Sequence, residues 1–560
     1  MWIEEAGEFL EMFRSSLPLT CLLLVPVLIF ISPVDGAHEF SAYRMQQFDL
    51  HGTQYGCRNA LVNMEARPIS SPLLTRRCIL TRLADLTSDR YRDIIEQSAG
   101  ALLVLLPQNF SSLTQEVIQQ WLELEPQMLE QETTVPVYFA YEDEQLLDIH
   151  DQIQQAVSSD QAASAAEALL SAVYANGFQM VVSGPQAKLV KDAQINSLQG
   201  KLTGKGMEDQ LPTIAVVAHY DALGIAPHLS FGADSNGSGV AALMELARLF
   251  SKLYTNSRTH AKYNLLFMLS GGGKFNYQGT KRWIEDNLES TETTLLSDVS
   301  YVLCLDSVGA EDNLHLHVSK PPKEGSIPHG IFQNLEQASK DLYPSVNFTM
   351  MHKKINLAED LLAWEHERFS MRRIAAGTLS HLNTHQNMFR TSILDDRSRV
   401  SSEKLARNVK IIAEGLARHL FDLTSDDATL STQEVFIDAL GVNQESIRSW
   451  VDYLSSEPRA AQLMTKDTPV LHTLEQTLGR YLKDVKMVSI KADKREPEYV
   501  FYDGLKFNMY AYNVKPAVFD LFLAAAIAGY LGIIYLSVQH FGILRDLAKK
   551  TMANNKVKAF

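Results

Sequence analysis

Three short turns carry side chains of the kinds that bind metals and move protons. AHYDALG holds His219 and Asp221, GADSNGSG holds Asp234, and CLDSVG holds Asp306. Imidazole nitrogens and carboxylate oxygens are the usual ligands of a hydrolytic zinc, and three protein ligands beside one open position are enough for catalysis. A lone His or Asp in a turn is ordinarily structural, but three such turns in succession, each after an apolar run, point to a site. The stretch SGGGKFNYQGT, residues 270–280, sits in the same series, yet it offers Gly273 and Lys274 where an acid would serve. It is not a phosphate-binding loop. Phe275 follows Lys274 where Mg²⁺ needs a Ser or Thr hydroxyl, and the first glycine is wrongly spaced.

The elements that must hold these turns are legible around them. PTIAVVAH, YNLLFML and SYVLCLD read as buried strands, and GVAALMELARLFSKLY and QGTKRWIEDNL as helices between them. Strict alternation of this kind predicts an α/β fold with a mainly parallel sheet and helices on both faces, whose working residues gather beyond the C-terminal strand ends. Residues 205–425 form that domain. An N-terminal α/β region, 37–204, is built from ALLVLLP and VPVYFAYE as strands and from helices at SLTQEVIQQWLELE, stopped by Pro126, and SAAEALLSAVYANG. Residues 426–515, polar and carrying VNQESIRSWVDYLSS and TLEQTLGRYLKDVK, read as a helical stalk.

Two apolar stretches flank this body. Residues 1–36 resemble a signal peptide with cleavage after Gly36, although four Glu precede the apolar run and leave an uncleaved anchor open. Leu521 to Val538 is uncharged and long enough to span a bilayer, so 517–540 reads as a single transmembrane helix. The basic tail 541–560 then places the C-terminus in the cytoplasm and the bulk in a lumen, a single-pass type I arrangement. Glycosylation triplets at Asn109, Asn236 and Asn347 agree with that side of the membrane. Cys57 and Cys78 are the candidate disulfide, with Cys304 left in an apolar run. A net charge of −15 over 560 residues argues against direct nucleic-acid binding, which needs clustered Lys and Arg.

The three turns resemble those of the co-catalytic di-zinc aminopeptidases, whose motifs are H-x-D, D-N-G-S-G, G-A-E-E-x-G-L-x-G-S and N-x-D. The resemblance covers roughly residues 205–425. It implies that His219 and Asp306 correspond to ligands of one zinc, Asp234 to the bridging carboxylate and Asp221 to the group that orients the histidine. It also implies that Gly273 replaces the general base and Lys274 the carboxylate that holds the second zinc. The last ligand has two counterparts, His381 and His385, ahead of Asp395, and Glu365–His366 resembles a further family turn. Loss of a positioned base alone lowers a rate by about 10² to 10⁴. An ammonium about 4 Å from a doubly charged ion is repelled by about 8 kcal/mol at an effective dielectric of 20. The expectation is a vestigial site without metal or other cofactor, in which Lys274 pairs with Asp234 or Asp306.

Over nearly the whole chain, GGGKFNYQGTKRW, NLAEDLLAWEHERF, RAAQL, RYLKDVK and VKPAVFDL resemble the nicalin family, relatives of nicastrin in γ-secretase. That resemblance implies a non-catalytic scaffold subunit of an endoplasmic reticulum membrane complex. It further implies Nodal modulator and a small multipass membrane protein as partners, association with the translocon and ribosome, and a role in biogenesis of multi-pass membrane proteins. The competing reading is a mono-zinc aminopeptidase using His219, Asp234 and Asp306.

Overall fold

The computed structural model of the chain describes residues 37–159, 177–207, 211–256, 258–289, 298–423, 434–514, 517–543 and 545–546. The signal segment, almost all of the helix expected at SAAEALLSAVYANG and most of the basic tail lie outside them.

The sheet that carries the site has eight strands. In spatial order they are Asn347–His352, Asn313–Val318, Ala376–Ser380, Val299–Leu305, Thr213–His219, Asn264–Ser270, Gln194–Leu202 and Lys483–Lys491. Thr213–His219 is central because TIAVVAH is apolar on both faces, and all seven residues are buried. It pairs in parallel with Asn264–Ser270 on one side and Val299–Leu305 on the other. Burial on both faces requires cover above and below. Helices Gly239–Thr255 and Ser402–Leu420 supply one layer through Leu243, Leu246, Val409 and Ile412. On the opposite face, Trp283 of helix Gln278–Glu289 and Phe369 of helix His366–Met371 pack against Val217 and Met268. Ala376–Ser380 extends the parallel set, while Asn313–Val318 and Gln194–Leu202 join antiparallel. The C-terminal ends of four parallel strands therefore share one edge.

The N-terminal region closes into a barrel of His38–Arg44, Lys506–Val514, Gly177–Val182, Asn63–Pro68, Cys78–Arg82, Ala101–Leu106 and Val137–Tyr141. Ala101–Leu106 is buried throughout, as its unbroken apolar run requires. Helix Gln115–Glu130 packs beside it and continues through Pro126 instead of stopping there. Leu122, Leu124, Met128 and Leu129 are buried on both sides of the proline, and their packing outweighs the roughly 3 kcal/mol that an interior proline costs.

Three expectations are corrected. Residues 426–515 are not a helical stalk: helices Gln444–Leu454 and Pro469–Tyr481 bury Ile447, Val451, Leu471 and Leu474 in the main core. Lys483–Lys491 then joins the sheet edge beside Gln194–Leu202, and Lys506–Val514 enters the barrel between His38–Arg44 and Gly177–Val182. Polar composition concealed Lys483–Lys491 because an edge strand tolerates charge; along it only Ile490 is buried. Second, Gln194–Leu202 belongs to the large sheet, so the N-terminal unit ends before residue 194 and not at 204. Third, Cys57 and Cys78 are free and buried in separate clusters. The Cys57 thiol donates to the carbonyls of Asn59 and Val135, and burial pushes the Cys78 thiol up to about 12.

The last helix, Ala517–Gln539, has 23 residues and exposes Leu521, Leu531, Tyr535 and Val538. Counted over the described residues alone, no helix is long and apolar enough to cross a membrane.

Candidate functional site

The four parallel strand ends bring His219, the loop after Ser270, Asp306 and His381 to one edge of the sheet. His219 ends its strand with no exposed surface. Its Nδ1 lies 3.6 Å from Oε2 of Glu365, beyond hydrogen-bond reach, and neither ring nitrogen has a hydrogen-bond partner among the described residues. The other Glu365 oxygen accepts from the hydroxyls of Ser270 and Thr280, each at 2.6 Å. Asp221 does not orient His219. Its two oxygens accept the backbone N–H groups of Gly273 (2.7 Å) and Lys274 (3.0 Å), so it clamps the glycine loop.

That loop lies close to His219 because it lacks side chains. A Cβ added to Gly273 would stand 2.4 Å from both Cβ and Cγ of His219. Real atoms do not approach so closely, so a glutamate at this position needs a different backbone path. Lys274 reaches inward and donates through Nζ to Ser235 Oγ at 2.6 Å, not to Asp234 or Asp306 as the sequence suggested. Burial lowers its ammonium to about 8, with Asp306 opposing that shift.

The cation beside Asp306 is Arg390, which the sequence reading missed. Its Nη2 donates to Asp306 Oδ2 at 2.5 Å and to the Tyr277 hydroxyl at 3.2 Å, and the guanidinium lies 4.5 Å above the Trp364 ring. Nη1 donates to the carbonyls of Ala363 and His385. Burial would raise the Asp306 carboxyl, but Arg390, His219 and Lys274 together hold it well below the usual carboxylate range. Ser307 Oγ donates to the remaining Asp306 oxygen at 2.9 Å. In sequence Arg390 is one arginine in a polar loop, and nothing in FRTSILDD marks it as buried.

Asp234 is equally occupied. Its Oδ1 accepts Gly309 N–H at 3.0 Å and its Oδ2 lies 2.6 Å from His381 Nε2, which settles the choice between His381 and His385. Burial opposes protonation of His381, but the bond to Asp234 wins and raises it. Asp395 accepts the N–H groups of Asp234 and Ser235 (3.0 and 2.7 Å), and burial, reinforced by Asp234, raises its carboxyl to about 7. His366 turns away and pairs with Thr378 Oγ1 at 2.9 Å. Asn236 is fully buried, its amide nitrogen donating to the carbonyls of His219 and Leu305. It is therefore no glycan acceptor in the folded protein. Asn109 and Asn347 are exposed.

These donors do not fit a zinc ion. Both Asp306 oxygens and both Asp234 oxygens are engaged by protein groups, Arg390 among them. His219 and Glu365 keep unpartnered atoms beside one another, whereas the free Nδ1 of His381 faces Glu311 at 3.9 Å while its Nε2 is taken by Asp234, and two ligands fall short of the three a catalytic zinc takes. No group of three or more His, Cys, Asp or Glu among the described residues could hold a metal ion. The mono-zinc arrangement of His219, Asp234 and Asp306 is not formed.

Comparison with known proteins agrees with this architecture. A profile of Peptidase family M28 matches residues 198–414, the segment that contains every residue of the site. BOS complex subunit NCLN of Homo sapiens is 55% identical over 564 residues, covering 99% of this chain and 100% of its own length. Nicalin of Caenorhabditis elegans is 29% identical, over 95% of this chain and 96% of its own. The chain belongs to the nicalin family. The crystal structure of nicastrin, a γ-secretase component, shares the fold with a TM-score of 0.59 at 10% identity, covering 84% of this chain and 99% of that one. The nicalin-family assignment accounts for both halves of the chain: a peptidase-type sheet and, around it, a barrel and terminal strands that the M28 match does not reach.

Proposed function

We propose that this nicalin-family protein is a non-catalytic subunit of a membrane complex, in which the peptidase-type domain serves as a folded scaffold. The observation that carries this reading is the Arg390–Asp306 pair, which puts a fixed guanidinium on a carboxylate that metal would need. The missing base at Gly273 and the saturation of Asp234 support it. A relative 55% identical over its full length bears the name of a BOS complex subunit, which favours the same role here.

The finer proposal follows the family resemblance. The protein resides in the endoplasmic reticulum membrane, with its bulk lumenal and its C-terminus cytoplasmic. It assembles with Nodal modulator and a small multipass membrane protein, and acts beside the ribosome-bound translocon in biogenesis of multi-pass membrane proteins. Ala517–Gln539 is its anchor. The support for that anchor is the uncharged run Leu521 to Val538 in the sequence.

Purification of the full chain from microsomes in mild detergent, with zinc analysis, an aminopeptidase assay and identification of co-purifying proteins, tests this. Membrane partners without zinc or peptide release are expected. About one tightly held zinc per chain with release of N-terminal residues, lost in Asp234→Ala, would overturn it.

A further inference from the structure

A cavity of about 590 Å³ opens at the other end of the sheet from the vestigial site. Strand Val299–Leu305 runs between them: Tyr301 lines the cavity and Asp306 lies about 16 Å further along, at about 3.3 Å per residue. The volume lies within the range of small-ligand pockets, about 300–1,000 Å³.

Its lining is divided by chemistry. Leu316, Val318, Ile374 and Ala376 form an apolar wall. Lys320, Lys323, Lys354 and Arg373 ring the mouth; all four are exposed, none forms an ion pair among the described residues, and no carboxylate lines the cavity. The 16-residue helix Ile327–Leu342 points its N-terminal end at the same mouth through Ser326 and Pro328. Ser326 does not cap that helix; its hydroxyl donates instead to the Lys323 carbonyl. Four cations and the positive end of a helix thus converge on a place without counter-charge.

At the inner end stands Tyr301, only 2% exposed. Its hydroxyl forms no hydrogen bond among the described residues, and burial pushes it well above its usual range. Ser319 Oγ, also in the lining, is buried and unpartnered. An unpaired buried hydroxyl is costly unless something bonds to it. An acyl chain offers nothing to these hydroxyls, whereas a peptide offers amide groups beside apolar side chains.

We infer that this cavity binds the C-terminal end of a peptide chain, its free carboxylate held by the cationic mouth and the helix end, its apolar last side chain against Leu316 and Ile374, and its amide groups bonded to Tyr301 and Ser319. Capture of a terminal carboxylate by backbone N–H groups and cations is an established mode of peptide recognition.

The test is fluorescence anisotropy with the full-length protein in detergent. The probes are a labelled hexapeptide ending Leu-Phe with a free carboxylate, the same peptide as a C-terminal amide, and short-chain phosphatidic acid as competitor. The free acid is expected to bind at least about tenfold more tightly than the amide, the value of one charge-assisted contact. Lys320→Glu with Arg373→Glu should lose at least that factor, and Tyr301→Phe should weaken binding severalfold, with unchanged melting of each variant showing that the fold is kept. Equal binding of acid and amide, or indifference to the charge reversals, would overturn the inference. Phosphatidic acid that binds where neither peptide does would also overturn it, in favour of a lipid site. None of these outcomes bears on whether the vestigial site holds zinc.

Discussion

Replacing Arg390 by methionine leaves Asp306 as a carboxylate 2% exposed with its counter-ion gone. Breaking a buried ion pair by removing one partner costs about 3–5 kcal/mol, because the remaining charge is neither hydrated nor paired. Methionine keeps most of the volume against Trp364, so the loss there is only the cation–π part, about 0.5–1 kcal/mol. A total of about 5 kcal/mol corresponds to a fall in melting temperature of roughly 10–20 °C, at about 2–4 °C per kcal/mol for a domain of this size. The decisive measurement is the double variant Arg390→Met with Asp306→Asn, followed by thermal unfolding of the full chain in detergent. Removing both charges should recover more than half of the loss, since the penalty comes from the orphaned carboxylate and not from the pair's net strength. The pH dependence has a defined sign. Asp306 is held below its usual range in the folded state, so the pair's contribution is complete above about pH 4 and is lost as pH falls through the folded value. If the single variant melts within about 2 °C of the parent, or the double variant falls as far as the two singles summed, the pair is not what replaces the metal charge.

The remaining predictions concern the same edge of the sheet and the sugars. Lys274→Met should be more stable than the parent at pH 7, because burial depresses the ammonium from 10.5 to about 8 and its charged form is disfavoured in the folded state. The unfolded chain binds more protons between those values, so the parent should catch up as pH rises from about 8 to about 10.5; a difference that does not shrink would contradict the burial argument. Restoring both acids as Gly273→Glu with Lys274→Glu should yield neither bound zinc nor peptide release, and should lower stability, because the new Cβ meets His219 at 2.4 Å. Zinc analysis and a fluorogenic peptide assay check this, and either signal would show that the loop adapts. Asn109→Gln and Asn347→Gln should each remove a glycosidase-sensitive mass shift in microsomes, whereas Asn236→Gln should remove none but should unfold more easily, since it disrupts bonds to His219, Leu305, Gly239 and Ser307.

Much of the large sheet was readable because its strands are apolar on both faces and its helices have broad apolar sides. TIAVVAH and YNLLFML admit few other placements, and the ligand-type turns follow from the topology once the strands are placed. The failures have local causes. Lys483–Lys491 and Lys506–Val514 alternate polar and apolar residues, and their partners lie about 280 and 470 residues away, so no nearby pattern could reveal them. Arg390 was missed because a buried guanidinium looks in sequence like an exposed one, and Lys274 was assigned Arg390's place because only its motif position was visible. Asn236 satisfies the glycosylation triplet and is nevertheless inaccessible, since burial is a property of the fold and not of three residues.

The barrel has a consequence for how the molecule is made. His38–Arg44 has as one neighbour Lys506–Val514, a strand that leaves the ribosome only after nearly all of the remaining chain. Until it arrives, His38–Arg44 and Gly177–Val182 present raw edges, the kind of surface on which nascent chains associate wrongly. The first unit to emerge is thus the last to be completed, and its closure is postponed until the segment immediately preceding Ala517–Gln539 has been translated. Early termination anywhere before residue 506 would therefore leave an open, sticky N-terminal sheet, giving quality-control machinery a direct means of telling finished chains from truncated ones.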